Sequence, residues 1–163
     1  LHPRVRRQRQ MCIRDRNTEQ EESKKIVKRM YEEGHLIGNH TYRHVDLSKI
    51  SGREAEKEIK TTDEAIKKIT GHETEFIRPP FGAMPEGEED PDKIYVKWTV
   101  DSLDWVTKDT EKIVEKVTAD TKEGDVILMH DCYGESVEAA LQIVDIMEKQ
   151  GYEFVTADEL IIN

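Results

Sequence analysis

The chain has 163 residues and a formal net charge of -10, with 37% charged and 36% hydrophobic residues. This acidic balance argues against nucleic acid and anionic membrane surfaces as partners, because both require a concentrated basic surface. No apolar run approaches the ~20 residues that a helix needs to cross a bilayer. The length suits one domain with its own hydrophobic core.

Charge is divided unevenly along the chain. Residues 1–16 hold six of the ten arginines and one acid, a net charge of +5, whereas residues 17–163 carry a net charge of -15. A basic arm for nucleic acid or lipid is one interpretation, and a targeting segment is another, although the apolar stretch of a signal peptide is missing. The string MCIRDR resembles translated sequencing-adapter sequence. We therefore interpret residues 1–16 as a non-native or disordered basic head and expect the folded domain to span residues 17–163.

The folded part is predicted to begin with a helix and a short strand. Thr18 and Glu21 have the spacing of a capping box at a helix start, and apolar residues then recur on one face until Gly34. Residues 36–38 predict a short buried strand. This strand delivers His40 to its carboxyl end.

A second helix and strand follow. Ser51 begins a helix whose apolar residues keep helical spacing until Gly71. Residues 75–77 predict a strand that stops at Pro79 and Pro80, because a proline cannot continue a hydrogen-bonded ladder. A polar loop over residues 83–92 comes next.

The second half continues this alternation. Strands are predicted at residues 93–100, 125–129 and 153–155, and helices at residues 110–121, 136–149 and after Thr156. Residues 125–129 (DVILM) form an apolar run typical of a strand buried on both faces. Strands that alternate with helices predict parallel βα units, hence a barrel or a doubly wound sheet.

Reactive side chains follow these predicted strands. They are His40 and His44, Arg78, Asp101 with Asp104 and Trp105, and His130 with Asp131. In βα barrels the carboxyl ends of the strands are where active sites are built. We therefore expect these side chains to belong to one site.

Each group also has a structural interpretation. On one helical turn His40 and His44 would place both imidazoles within reach of one zinc-type ion, but such pairs also occur on solvated helices, and a third ligand would be needed. Arg78 could fix the direction of a carboxylate or only support the turn. His130 could be held by a carboxylate such as Asp104, or could be a satisfied core histidine.

The order of four segments is more specific than any one of them. GHLIGNHTYRH, RPPFG, WTVDSLDW and VILMHD resemble the second to fifth motifs of polysaccharide deacetylases of carbohydrate esterase family 4, the NodB homology type. The resemblance runs from about Glu32 to the carboxyl terminus. It implies an α/β fold, a distorted (β/α) barrel that here is incomplete and lacks its first strands. It also implies metal-dependent hydrolysis of the N-acetyl amide bond in peptidoglycan or chitin-like glycans, outside the cytoplasm or at the cell envelope.

The resemblance assigns roles to the metal site and its surroundings. His40 and His44 would ligate a divalent metal, commonly zinc, with Thr41 shaping their loop. Arg78 would orient the catalytic carboxylate. The backbone N–H of Phe81, at a position where tyrosine is more frequent in the family, would stabilise the oxyanion.

It also assigns the remaining site residues. His130 would be the general acid that protonates the departing amine, and Asp104 the carboxylate that tunes it. Trp105 would line one side of the sugar-binding groove, and Leu128 would line the pocket for the acetyl methyl group.

One motif of the family has no counterpart here. Its first motif, Thr-Phe-Asp-Asp-Gly-Pro, supplies the catalytic base and the third metal ligand. The resemblance therefore implies a deacetylase domain of which these 163 residues are inactive or weakly active. The alternative is a non-catalytic carbohydrate-binding remnant that uses Trp105 and Phe81 as sugar platforms.

Overall fold

Short parallel strands alternate with helices through the computed structural model, which describes residues 11–13, 21–84 and 90–162. In chain order the described elements are β1 (Met11–Ile13), α1 (Glu21–Glu32), β2 (Ile37–Asn39), α2 (Gly52–Thr70), β3 (Phe76–Ile77), β4 (Ile94–Tyr95), β5 (Val100–Asp101), α3 (Asp104–Thr107), α4 (Thr110–Asp120), β6 (Ile127–Leu128), α5 (Gly134–Lys149) and α6 (Ala157–Ile162). They fall into two compact units, one up to Lys97 and the other from Trp98.

The first unit contains a parallel sheet with the strand order β1-β2-β3-β4. Met11 of β1 pairs with Ile37 and Ile13 pairs with Asn39. Met11–Ile13, which belong to the segment interpreted as a basic head, thus form a strand of this sheet, and the interpretation of the rest of residues 1–16 stays a prediction. The other residues of that head lie outside the described residues.

Helix α2 has the ends that its sequence predicts. The Ser51 hydroxyl accepts a hydrogen bond from the Glu54 backbone N–H, and the Glu54 carboxylate accepts one from the Ser51 backbone N–H, which completes a capping box. Gly71 ends the helix with a φ of 82°, a conformation that favours glycine. The predicted cap of α1 at Thr18 lies outside the described residues.

Two apolar clusters hold the helices of the first unit against its sheet. One joins Val27 of α1 and Ile66 of α2 to Ile37 of β2. The other joins one face of α2 to β3 and to the short 3₁₀ turn at Leu47–Lys49, through Leu47, Ala55, Ile59 and Ile77. In this sheet the parallel register Asn39↔Ile77 places the carboxyl ends of β2 and β3 side by side.

The second unit consists of the parallel pair β5-β6 and helices α3 to α6. Its apolar core lies between α4 and α5 and comprises Ile113, Val117, Ala139, Ile143 and Met147. Each of these residues is at most 2% exposed. The register Asp101↔Leu128 places the carboxyl ends of both strands side by side.

Three strand predictions need correction. Residues 93–100 form two strands in different sheets, because the chain changes its hydrogen-bonding partner from Ile77 at Val96 to Val126 at Thr99. In the run 125–129 only Ile127–Leu128 is a strand, and only Leu128 is buried. Residues 153–155 form no strand in the described chain, where Phe154 instead packs on the α4–α5 core.

Among the described residues, no helix combines the length and the apolar character needed to cross a membrane.

Candidate active site

The two histidines of the His-x-x-x-His segment lie together, but not on a helical turn. Their rings meet edge to face with centroids 4.9 Å apart. Thr41 and His44 both have left-handed backbone conformations, with φ values of 63° and 56°. The segment from His40 to His44 is therefore not a helical turn, and the two rings meet in a loop that contains two left-handed residues.

Hydrogen bonding fixes the orientation of the His40 ring. Its Nδ1 lies 2.6 Å from the backbone carbonyl oxygen of Arg78. Because a carbonyl only accepts, Nδ1 is the protonated nitrogen and Nε2 carries the lone pair of the neutral ring. A histidine held through Nδ1 by a carbonyl is the arrangement typical of a metal ligand. Arg78 is 5% exposed, and its N–H donates to Asn39 at 2.9 Å.

The buried side-chain amide of Asn39 fixes the loop that follows β2. The Asn39 Nδ2 donates to the carbonyl of Ile59 at 2.8 Å and to Asp63 at 2.7 Å, and its Oδ1 accepts from the Thr41 N–H at 2.8 Å. Asp63 also forms an ion pair of 2.8 Å with Lys93. The end of β2 is thus fastened to α2 immediately before His40.

A second contact, made by Glu58, fixes Arg43, which lies between the two histidines in sequence. Glu58 of α2 is 4% exposed, and its carboxylate accepts hydrogen bonds from the Arg43 backbone N–H at 2.8 Å and from Arg43 Nε at 2.7 Å. The side-chain bond raises the pKa of Arg43. Glu58 is not among the predicted site residues, although a charged residue on the apolar face of α2 is the kind of signal that marks a buried partner.

Phe81 extends the first unit's site beyond the histidines. Its ring centroid lies 5.0 Å from that of His44, and 67% of the residue is exposed. The 3₁₀ turn at Pro80–Gly82 holds Phe81 at a φ of 60°. Of the predicted site residues, the structure therefore brings His40, His44, Arg78 and Phe81 together in the first unit.

The second unit contains a buried carboxylate that holds a histidine at two atoms. Asp104 begins α3 and is fully buried, and it accepts from the His130 backbone N–H at 2.6 Å and from His130 Nδ1 at 2.7 Å. Burial raises the pKa of Asp104, but the hydrogen bonds from the side chain and backbone of His130, together with the charge of His130, lower it below its usual value. The carboxylate is therefore ionised at neutral pH and orients the imidazole.

Trp105 and Leu128 lie in the same unit with opposite exposure. Trp105 follows Asp104 and is 52% exposed, as a platform for a ligand would need to be. Leu128 is 9% exposed in β6, and its carbonyl accepts from the Ser102 N–H at 3.3 Å. Asp101 is engaged locally, where its carboxylate accepts from the Leu103 N–H at 2.9 Å.

The described residues suit a zinc-type ion in donor chemistry but not in number. His40 and His44 supply two imidazoles, one of them already oriented by a carbonyl. Catalytic zinc usually has three protein ligands and one open position. Among the residues whose placement is described, no group of three or more His, Cys, Asp or Glu side chains could hold a metal ion.

Comparison with known proteins identifies the family of the chain. The family model for polysaccharide deacetylases matches residues 10–90. The peptidoglycan-N-acetylmuramic acid deacetylase PdaC of Bacillus subtilis is 37% identical over 133 residues, which are 81% of this chain and 28% of PdaC. A peptidoglycan-N-acetylglucosamine deacetylase of Bacillus cereus is 33% identical over 145 residues, which are 83% of this chain and 68% of that protein.

Solved structures agree with this assignment. The structure of PdaC from Bacillus subtilis is 34% identical, with a TM-score of 0.80 over 83% of this chain and 68% of that one. The T48 deacetylase, solved with substrate, is 36% identical, with a TM-score of 0.87 over 95% of this chain and 77% of that one. The chain spans 28%, 50% and 29% of the length of three curated relatives that it matches. The expected α/β fold class is confirmed, and the chain belongs to the polysaccharide deacetylase family.

Proposed function

We propose that the domain represented by this chain hydrolyses the N-acetyl amide bond of amino sugars in peptidoglycan, with release of acetate and a free amine. The observation that carries the proposal is the Asp104–His130 pair, in which a buried carboxylate holds Nδ1 of a partly exposed imidazole. Such an imidazole is suited to proton transfer at its other nitrogen. The names of the relatives support the substrate class, since both PdaC and the Bacillus cereus protein are peptidoglycan deacetylases.

The reaction needs a proton donor for the departing nitrogen. An amine leaves as a neutral molecule only if it is protonated as the carbon-nitrogen bond breaks. His130 supplies this proton from Nε2, and the ionised Asp104 stabilises the imidazolium before the transfer. The side chain of His130 is 32% exposed, which leaves the ring accessible to a substrate.

We assign the metal chemistry to residues of the first unit. His40 and His44 would hold a divalent ion of the zinc type, which when bound polarises the amide carbonyl and lowers the pKa of a water molecule. The Phe81 N–H would stabilise the oxyanion, and Arg78 would orient a carboxylate base. Trp105 and Leu128 would contact the sugar and the acetyl methyl group.

Catalysis by these 163 residues alone should be absent or weak. The sequence contains no Asp-Asp pair, and no group of three or more possible metal ligands is found among the described residues. The same observation favours the alternative, a non-catalytic remnant that binds N-acetylated glycan through exposed Trp105 and Phe81. For either function the glycan is the partner. Because peptidoglycan lies outside the cytoplasm, we place the action of the domain there or at the cell envelope.

Acetate release from N-acetylglucosamine oligomers with added zinc tests both parts of the proposal. We expect turnover by a chain extended upstream with a strand that carries the Thr-Phe-Asp-Asp-Gly-Pro motif, and at most traces from the 163 residues. Robust turnover by the 163 residues would contradict the predicted inactivity. Glycan binding without acetate release by the extended chain would instead support the remnant.

A further inference from the structure

We propose that Asp63 of α2 is a positioning residue for the loop that carries His40 and His44. Its carboxylate orients the side-chain amide of Asn39, and that amide holds Thr41 in its left-handed backbone conformation. The importance of this arrangement for catalysis rests on the proposed function. The contacts themselves do not depend on it.

The orientation of the Asn39 amide is fixed by its neighbours. Asn39 is 0% exposed. Its Nδ2 donates to the Ile59 carbonyl at 2.8 Å and to Asp63 Oδ1 at 2.7 Å, and its Oδ1 accepts from the Thr41 N–H at 2.8 Å. A carbonyl and a carboxylate only accept, whereas a backbone N–H only donates. The reversed amide would therefore break all three hydrogen bonds, and only the observed orientation presents an oxygen to Thr41.

Lys93 fixes the Asp63 carboxylate in turn. The Lys93 Nζ lies 2.8 Å from Asp63 Oδ2 and donates to the Thr74 carbonyl at 2.6 Å. Both side chains of the ion pair are only 14% exposed, so solvent screens their attraction little. Because an ammonium group only donates, it takes one carboxylate oxygen and leaves the other, Oδ1, to Asn39. The ion pair therefore sets the direction of the hydrogen bond that reaches Asn39.

Thr41 has a backbone conformation that requires a restraint. It is 0% exposed and has a φ of 63°, which is unfavourable for a residue with a branched Cβ. Such a conformation persists only where the surrounding structure holds it. Among the described residues the Thr41 hydroxyl has no hydrogen-bond partner, whereas its backbone N–H is bonded to Asn39. We therefore assign the restraint to the main chain of Thr41 and not to its hydroxyl.

The Asn39–Asp63 contact can be reversed without a change in net charge. Asn39→Asp alone places a second carboxylate against Asp63 and the Ile59 carbonyl, neither of which donates. Asp63→Asn alone turns N–H groups towards Asn39 or Lys93, both of which donate already. In the double variant the amide at position 63 donates to the carboxylate at position 39 and accepts from Lys93. The bond to the Thr41 N–H is then kept, and only the Ile59 carbonyl loses its donor.

The test is NMR spectroscopy of the full 163-residue chain, with the NOE between the ring protons of His40 and His44 as the readout. The ring centroids lie 4.9 Å apart, so this NOE reports the geometry of the loop. Asn39→Asp and Asp63→Asn should each weaken or abolish the NOE, and the double variant should restore it. An undiminished NOE in either single variant would disprove the proposal, and so would a double variant with no stronger NOE than the weaker of its parents. Should Asn39→Asp fail to fold, Asp63→Asn and the double variant are compared by the same criterion.

Thr74→Val is the matched control for a general loss of stability. Thr74 is 6% exposed, and its Oγ1 donates to the Ile37 carbonyl of β2 at 2.6 Å. The substitution removes this buried hydrogen bond from the strand that also contains Asn39, and it keeps the backbone carbonyl that binds Lys93. It should lower the midpoint of urea unfolding and leave the NOE unchanged. A loss of the NOE equal to that in Asp63→Asn would disprove the positioning role.

This measurement needs neither metal nor glycan. The predicted NOE pattern in a chain that has no deacetylase activity after upstream extension would disprove the proposed function and keep the role of Asp63. Activity together with an undiminished NOE in Asp63→Asn would do the reverse.

Discussion

Glu58 accepts two hydrogen bonds from Arg43, one from its backbone N–H at 2.8 Å and one from Nε at 2.7 Å. The pair joins the buried face of α2 to the middle of the segment that carries His40 and His44. Because both bonds end on one buried carboxylate, Glu58 holds the loop through its main chain as well as through a side chain. The geometry of the loop that carries the two histidines therefore depends on a helix outside that loop.

Removal of this carboxylate should destabilise the first unit. Glu58→Ala breaks both hydrogen bonds and should lower the free energy of unfolding by about 1–3 kcal/mol, as measured by urea denaturation. Arg43→Ala keeps the backbone bond to Glu58 and should cost less, since the Arg43 side chain is largely exposed. Equal losses in the two variants would show that the backbone bond contributes nothing.

Zinc binding should depend on His40 and His44 and not on His72. Isothermal titration of the chain with zinc should give a weak site, because two protein ligands are fewer than a catalytic site usually has. His40→Ala and His44→Ala should each abolish it. His72→Ala is the control, since the His72 ring stacks on Tyr31 instead. Equal loss in His72→Ala would place the zinc elsewhere.

Acid should remove the contribution of Asp104 to stability. The pKa of Asp104 is lowered in the folded chain, so its ionised form stabilises the fold above the unfolded value of about 3.9 and the effect is lost as the pH falls through the lower folded pKa. The difference in unfolding free energy between the unchanged chain and Asp104→Asn should therefore be largest at neutral pH and shrink below about pH 4. Asp101→Asn, which alters one backbone bond, should show a smaller difference. A difference for Asp104→Asn that stays constant with pH would contradict this.

The cap of α2 should contribute measurably to stability. Ser51→Ala removes the acceptor of the capping box and should cost about 1 kcal/mol in unfolding free energy. Ser51→Thr retains the hydroxyl and should restore most of it. Equal stability of the alanine and threonine variants would show that the cap does not stabilise α2.

Local signals in the sequence predicted the helices well and the strands less well. The ends of α2 follow from Ser51 and Gly71 because a cap acts within four residues of its own position. A strand instead needs a partner far away in sequence. Phe154 lies in a run that suits a strand, but it packs on helices because no neighbouring strand is bonded to residues 153–155 in the described structure.

The sequence predicted that His40, Arg78 and His130 follow strand ends, but it did not predict the residues that hold them. Short apolar runs predict where strands end, and in βα barrels active sites are built at the carboxyl ends of strands. His40, Arg78 and His130 could therefore be proposed from the sequence. It could not give the left-handed backbone of Thr41 and His44, which residues other than glycine rarely adopt. Glu58 and Asn39 were missed because their partners Arg43, Ile59 and Asp63 are 15 to 24 positions away along the chain, and only folding brings them into contact.

The central claim is that His130, held by Asp104, delivers the proton to the leaving nitrogen. The most direct measurement compares kcat/KM of the upstream-extended chain and its His130→Ala variant on two substrates, an N-acetylglucosamine oligomer and 4-nitrophenyl acetate. The amine needs a proton to leave, whereas 4-nitrophenolate does not. We predict a loss of about 10²–10⁴-fold on the oligomer and a much smaller loss on the ester. Equal losses on both substrates would contradict the account.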